Sequence, residues 1–496
     1  MKVGAVKKTF KRAVATAAVC AAGATATIGA VPTADAAKAP QHRDDVATSL
    51  TRFASEAWAS GSKVLLGGVE LKSLKDAYAV QTCTRRVGLT HDSNSLATPS
   101  DYLPIPNDLV KVAPSSSQTT TYKLADGVHG VKAVNTIADI AVGGQLVNDL
   151  SIPTVKIEGL QSVADSFFDP TAKNGAGAYR TSHSFAFKGI SIDYSGTVVD
   201  GTPLASLLDI VNNAAAPISQ VVNQVVDLLT SVAGHIIDIP GLGSIELGKS
   251  TGKVTDTSAA SQTYALALSV LPQGDNPLTK IILGRARSRI SEGVPSGVFR
   301  STVDALDLFT GNDLLHMGGI ENRRIPCEGT DGKVLTHKVA NISFPIQNGP
   351  VIDLSGITYS YMGKQLSGGR AKSLVSSTIG SFKIPVLGLE IKGLTSKLRA
   401  VSTPGKKVAT KPSVSIADVL VNGTSILDGV KPTLGQIISF VDKLGNENTI
   451  QFGHILGGSD HFTGTGISGI HLELPGVPGG TLMDLGVTSA HIIANN

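Results

Sequence analysis

The chain reads as an all-β protein, sandwich- or barrel-like with a few accessory helices, built from two homologous β-rich domains. Three observations predict this class. Short β-branched runs are broken by turn residues about every ten positions, the spacing of sandwiches and barrels. Glycine (54 residues) and proline (23) supply that punctuation, and only 17% of residues are charged. Finally, motifs of the first half recur in the same order in the second, which marks one unit used twice.

The matches are local but ordered. Gly61-Ser62-Lys63-Val64-Leu65-Leu66-Gly67-Gly68-Val69-Glu70 returns as Gly311-Asn312-Asp313-Leu314-Leu315-His316-Met317-Gly318-Gly319-Ile320-Glu321. Cys83 with Leu89-Thr90-His91 returns as Cys327 with Leu335-Thr336-His337. Ile152-Pro153 leading to Ile157-Glu158-Gly159-Leu160 matches Ile384-Pro385 leading to Ile391-Lys392-Gly393-Leu394, and Gly196-Thr197 through Gly201 matches Gly423-Thr424 through Gly429. The plan that follows is a signal peptide at 1–36, an N-terminal arm at 37–60, copy one at 61–290, a connector at 291–310 and copy two at 311–496.

Residues 1–36 set the expected compartment. Lys2, Lys7, Lys8, Lys11 and Arg12 form a positive start, Ala13 to Val31 is uncharged and rich in Ala, Val and Thr, and Ala34-Asp35-Ala36 offers small residues for cleavage before Ala37. An uncleaved anchor is the rival reading, weakened by the low apolarity of Ala and Thr. Lipid attachment at Cys20 would require a small residue before it, where Val19 stands. The last residues, His491 to Asn496, show no sorting motif, apolar tail or basic stop, so free secretion or non-covalent attachment to the cell surface is expected.

Ala37 to Ser60, which holds the only tryptophan, Trp58, reads as a short helix or ordered arm. Ser115-Ser116-Ser117-Gln118-Thr119-Thr120-Thr121 and Ser402-Thr403-Pro404-Gly405-Lys406-Lys407 read as exposed loops. Phe185, Phe187, Ile190 and Ile192, split by Lys188-Gly189, predict strands; Val414, Ile416, Val419 and Val421 are their counterpart, ending in a hairpin at Asn422-Gly423. Leu204, Leu207, Leu208 and Val211, then Val221 to Leu229, fall at helical spacing broken by Pro217. A shorter helix is expected from Leu434 through Ile437, Ile438 and Val441, and another from Ser296 to Leu308.

Charge excludes one partner class. Of 43 Lys and Arg and 39 Asp and Glu, cleavage removes five basic residues and Asp35, leaving the mature chain neutral. A neutral protein has no general field to attract nucleic acid or an acidic membrane. Arg285, Arg287 and Arg289 alternate, as on the wet face of a strand. No transmembrane segment is expected after signal cleavage.

Only Cys83 and Cys327 survive processing, at corresponding positions of the two copies. Equivalent residues near a pseudo-twofold axis face each other. A disulfide between the copies is therefore a candidate, and an oxidising compartment permits it. Closing so long a loop would stabilise the fold by about 4 to 5 kcal/mol in the chain-entropy account. Two separate buried thiols are the alternative.

Chemistry-bearing motifs are sparse. His454, Asp460, His461, His471 and His491 gather near the C-terminus, but their spacings are longer and less regular than those of tight zinc pairs, and the matching stretch of copy one, Ile245 to Pro272, has no histidine. His91 and His337 follow Thr90 and Thr336, yet neighbours on a strand point to opposite faces, which makes a Thr–His nucleophile awkward. Gly466-Ile467-Ser468-Gly469 continues into Ile470 rather than closing a nucleophile elbow. No phosphate loop, dinucleotide fingerprint or metalloprotease motif occurs. Asp193 and Asp200 read as loop residues that leave calcium open, although no calcium-binding repeat occurs. Aromatic residues make up 4% of the chain, and Tyr179, Tyr194, Tyr359, Tyr361 and Phe382 suit core or strand positions as well as sugar stacking. No catalytic, cofactor or metal residue is assigned.

Pro326-Cys327-Glu328-Gly329-Thr330-Asp331-Gly332-Lys333-Val334, with Tyr361-Met362-Gly363-Lys364-Gln365 and the strands after it, resembles a group of uncharacterised actinobacterial secreted surface proteins of the choice-of-anchor type. The resemblance implies a secreted, β-rich, envelope-associated protein and carries no site residues. The resulting expectation is a non-enzymatic cell-envelope or extracellular structural protein with protein or envelope partners, self-association included. The alternatives are a carrier of an apolar ligand or lipid, and a secreted hydrolase using the copy-two histidines.

Overall fold

The structure is a computed structural model that describes residues 50–66, 69–72, 77–95, 110–145, 151–187, 189–193, 236–239, 243–270, 279–310, 315–318, 320–345, 351–456, 464–477 and 481–494. The expected signal segment, the helices between Leu204 and Leu229, and Tyr194, Asp200, Asp460 and His461 lie outside these residues.

Among the described residues the fold is all-β, its strands paired antiparallel in four open sheets, none closed into a barrel. The largest sheet spans both halves. Outward from its middle on one side run Val69–Lys72, Leu50–Leu66, Thr279–Ser291, Ser258–Val270, Gly243–Val254 and Ile236–Ile239. On the other run Leu315–Gly318, Leu306–Thr310, Thr481–Leu485, Ile470–Leu474, Glu447–Phe452 and Ile437–Val441. The seam is the pairing of His316 with Lys72, Met317 with Leu71 and Gly318 with Glu70.

A second layer packs in each half, the first against Ser258–Val270 and Thr279–Ser291 and the second against Thr488–Ala494 of the smallest sheet. In the first, Thr90–Asn94, Ser115–Lys123, His129–Gln145 and Ser151–Asp169 pair in that order, and Ala178–Ala186 and Gly189–Asp193 both pair with the last. In the second, Leu335–Lys338, Thr358–Gln365, Ala371–Ile384 and Leu389–Ser402 do the same, with Ala409–Ser415 and Asp418–Val421 on the last. The two layers thus share one connectivity. Their longest ladders are also interrupted at matching points. The ladder lacks one facing pair, Ala138 with Gly159, between Ile137↔Leu160 and Asp139↔Glu158, and likewise Gly380 with Gly393 between Ile379↔Leu394 and Ser381↔Lys392, with no change of register. Both glycines take the left-handed backbone, φ 60° and 62°, which side chains disfavour.

Between the layers lies one large apolar cluster. Ile137, Ile140, Ile157 and Leu160 belong to it with Leu266, Ile281 and Leu283, as do Phe382, Ile391 and Leu394 with Met483 and Leu485. Burial of a single such side chain contributes about 1.5 to 3 kcal/mol. A second cluster is built from Ala57, Ala59, Ala133, Ala164 and Ala286 around Phe53, Phe168 and Tyr179. Hydroxyls also meet across the layers: Ser166 Oγ lies 2.9 Å from Ser288 Oγ, and Ser396 Oγ 3.2 Å from Thr488 Oγ1.

Several expected elements are corrected. Ser115–Lys123 is a strand, with Ser115, Ser117, Thr119 and Thr121 buried on one face. Asn135 Nδ2 donates to Ser117 Oγ at 2.9 Å, so its inner face is stabilised by polar contacts. The described part of the expected arm is the outer half of the strand Leu50–Leu66, which crosses residue 61. Gly297–Phe299, Thr302–Val303 and Leu306–Thr310 are strands where a helix was expected, because each finds a partner far along the chain at Thr488–Ala494 or Thr481–Leu485. Ile437–Val441 is likewise an edge strand turning only Phe440 inward. The turns held: Val421 pairs with Thr424 across Asn422-Gly423, both at positive φ, and Lys406 N–H donates to Thr403 O in the 402–407 turn.

Candidate functional site

The residues singled out by sequence divide sharply in the structure. His91 and Thr90 are exposed, and Thr90 Oγ1 lies 3.4 Å from Thr120 Oγ1. His337 sits in a different setting. Its Nε2 is 2.6 Å from Glu321 Oε2 and 2.7 Å from Arg323 Nη2, and can serve only one of them at a time. Its ring stacks toward Tyr359, centroids 6.3 Å apart, while Thr336 occupies the neighbouring strand position on the other face.

At the C-terminus, His454 stacks on His471 with ring centroids 4.5 Å apart. His471 Nδ1 is 3.0 Å from Asp484 Oδ1, and its Nε2 is 3.7 Å from Glu473 Oε1. The bond to Asp484 raises the His471 imidazole above its usual range, against desolvation. His454 Nδ1 is committed to Gln451 Oε1 at 2.9 Å. His491 lies on a different sheet, in Thr488–Ala494, where its backbone bonds Arg300 and Ser301. Among the described residues no three ligating groups converge here. Tyr359, Phe382 and Tyr179 are buried core residues, so their faces are not open to a sugar.

The cysteines do come together. Cys83, on the strand Tyr78–Arg86, and Cys327 form a disulfide with Cα atoms 5.5 Å apart, spanning 244 residues. Both are almost fully buried, packed with Ala54, Val294 and Val298. Glu56 Oε2 lies 3.6 Å from Cys83 Sγ; a half-cystine has no S–H to donate, so this is a contact only.

Polar contacts tie the same junction. Arg300 Nε donates to Cys83 O at 2.8 Å, and Phe299 N–H to Cys327 O at 3.0 Å. Glu328, next to Cys327, accepts from Arg289 Nη1 and Ser291 Oγ at 2.9 Å each, and also from Arg289 Nη2. Burial alone would lower the Arg289 guanidinium, but Glu328 outweighs it and the net shift is upward.

Beside this junction opens a cleft of about 480 Å³, the feature that residue-by-residue reading missed. Its floor is the outer face of Leu50–Leu66 and Thr279–Ser291, where Glu56 stands opposite Arg289 and Trp58 opposite Arg287. Arg285 lies over the Trp58 ring, 4.5 Å from its centroid. The second half supplies the other wall, Asn322 to Pro326, with Arg323 and Arg324. The alternation of Arg285, Arg287 and Arg289 was the available signal; that Arg324 would join them depends on the fold.

No protein-family model matches this chain, and comparison with curated proteins finds no match.

Proposed function

We propose that this is a secreted, non-enzymatic protein of the cell envelope or extracellular space, built from two homologous β-rich halves and acting through protein or envelope contacts. The observation that carries this reading is the buried Cys83–Cys327 disulfide joining the halves beside their shared sheet. Such bridges persist in oxidising compartments. The shared pairing order of the main strands in the two second layers, and the left-handed glycines at Gly159 and Gly393, support descent from one duplicated unit. The basic, apolar and small-residue succession ending at Ala36 supports export, and the resemblance to choice-of-anchor surface proteins agrees with it. Among the described residues no helix is long and apolar enough to cross a membrane. Two similar halves suit bivalent contact, in which linkage raises apparent affinity.

The test is to express the full chain in an exporting bacterial host, fractionate the cells and sequence the mature N-terminus. A start at Ala37 in medium or envelope supports the reading; an intact Met1 confined to the cytoplasm overturns it. Native mass spectrometry of the same material separates the functional alternatives. Concentration-dependent oligomers favour the structural role, and stoichiometric co-purifying lipid favours a carrier.

A further inference from the structure

The cleft between the halves carries more positive charge than its own acids neutralise. Six basic side chains line it, Lys63, Arg285, Arg287, Arg289, Arg323 and Arg324, against Glu56 and Glu70. Lys63 is paired with Glu70 at 2.8 Å, Arg289 with Glu328, and Arg323 with Glu321 at 3.3 Å. Arg285 is held on Trp58. Arg287 and Arg324 are both exposed, and among the described residues neither has an ion-pair partner. They come from opposite halves and face one cleft.

We propose that this cleft binds a ligand bearing two or more oxyanion groups, carboxylate or phosphate, gripped by Arg287 from one half and Arg324 from the other. The planar guanidinium fork matches both oxyanions in two-pronged geometry. A volume of about 480 Å³ is in the range of small-molecule sites. Focused positive charge in a concave site attracts anions even on a neutral protein. The disulfide takes part indirectly, since Cys327 lies three residues beyond Arg324 and fixes that wall against the floor. The inference stands on this geometry and does not depend on where the protein resides.

Trp58 makes the site self-reporting, because it is the only tryptophan in the chain and lines the cleft. The experiment is a tryptophan-fluorescence titration of the full-length protein with tripolyphosphate and, separately, with citrate, at low and at high salt. A saturable change is expected with one ligand or both, weakened by added salt because the arginines are exposed. Response to tripolyphosphate alone assigns phosphate, response to citrate alone assigns carboxylate, and response to both assigns the shared chemistry. Arg287→Ala and Arg324→Ala should each weaken binding about tenfold, as expected for loss of one charged hydrogen-bonding group. Lys406→Ala, in an exposed turn, should leave it unchanged. No saturable response to either ligand, or equal loss in all three variants, would overturn the proposal.

Discussion

Arg289 and Glu328 form a two-pronged ion pair across the junction of the halves, one residue from the Cys327 half-cystine. Their side chains are only 15% and 27% exposed, so the pair lies in a region where charge is stabilised mainly by the partner rather than by water. Together with the disulfide and the Arg300 bond to Cys83 O, it sets how the segment 322–328 sits against the first half.

Glu328→Ala leaves Arg289 without its carboxylate and should destabilise the fold by about 2 to 3 kcal/mol, below the cost for a fully buried pair because some exposure remains. Glu328→Gln, which keeps an acceptor oxygen, should cost less. Urea unfolding of the two variants checks this order, and equal stability of Glu328→Ala and the parent would contradict it.

Removing the bridge acts chiefly on the unfolded chain. With 244 residues between the cysteines, the double variant Cys83→Ser, Cys327→Ser should lose about 5 kcal/mol in the chain-entropy account, less where the unfolded chain retains structure. Calorimetry should show a clearly lower Tm; an unchanged Tm would mean that the bridge constrains nothing.

Asp165 provides a pH signature. Burial pushes its carboxyl up to about 6, although the Tyr122 hydroxyl, donating at 2.9 and 3.1 Å, pulls the other way. The folded state therefore keeps a proton that the unfolded chain releases from about pH 4 upward. Stability should fall by about 2 to 3 kcal/mol as pH rises from about 4 to about 6, then level off with respect to this group. Asp165→Asn stays neutral and should remove that slope. Unfolding free energies measured across this range for both proteins test it, and parallel curves would refute the assignment.

Gly393→Ala places a side chain on left-handed backbone at φ 62°, close to the Ala417 methyl. The expected loss is about 1 to 3 kcal/mol, and the matched change Gly159→Ala should cost a similar amount. Thermal denaturation of each variant measures it; a neutral result at either glycine would show that its left-handed backbone is not required.

What the sequence revealed follows from how local each signal is. The Asn422-Gly423 turn was legible because two adjacent residues determine its backbone. The bridge between Cys83 and Cys327 was legible as a candidate, beside two separate thiols, because each cysteine precedes a similar Leu-Thr-His motif. Ser115–Lys123 was hidden because its inner face carries hydroxyls rather than apolar groups, and it fits only against a wall of small residues and Asn135. Leu434 to Val441 misled because a half-exposed edge strand can place apolar residues at helical spacing. Each strand between Ser296 and Leu308 has a partner more than 170 residues away, at Thr488–Ala494 or Thr481–Leu485, which no local pattern reveals. The cleft was invisible for the same reason: its arginines alternate on one strand, but their counterpart Arg324 arrives from the other half.

The most direct test of the account is peptide mapping of the exported protein, with free thiols blocked and digests compared before and after reduction. The account predicts one linked pair containing Cys83 and Cys327 that separates on reduction. Quantitative blocking of both cysteines as free thiols in the folded protein would contradict it.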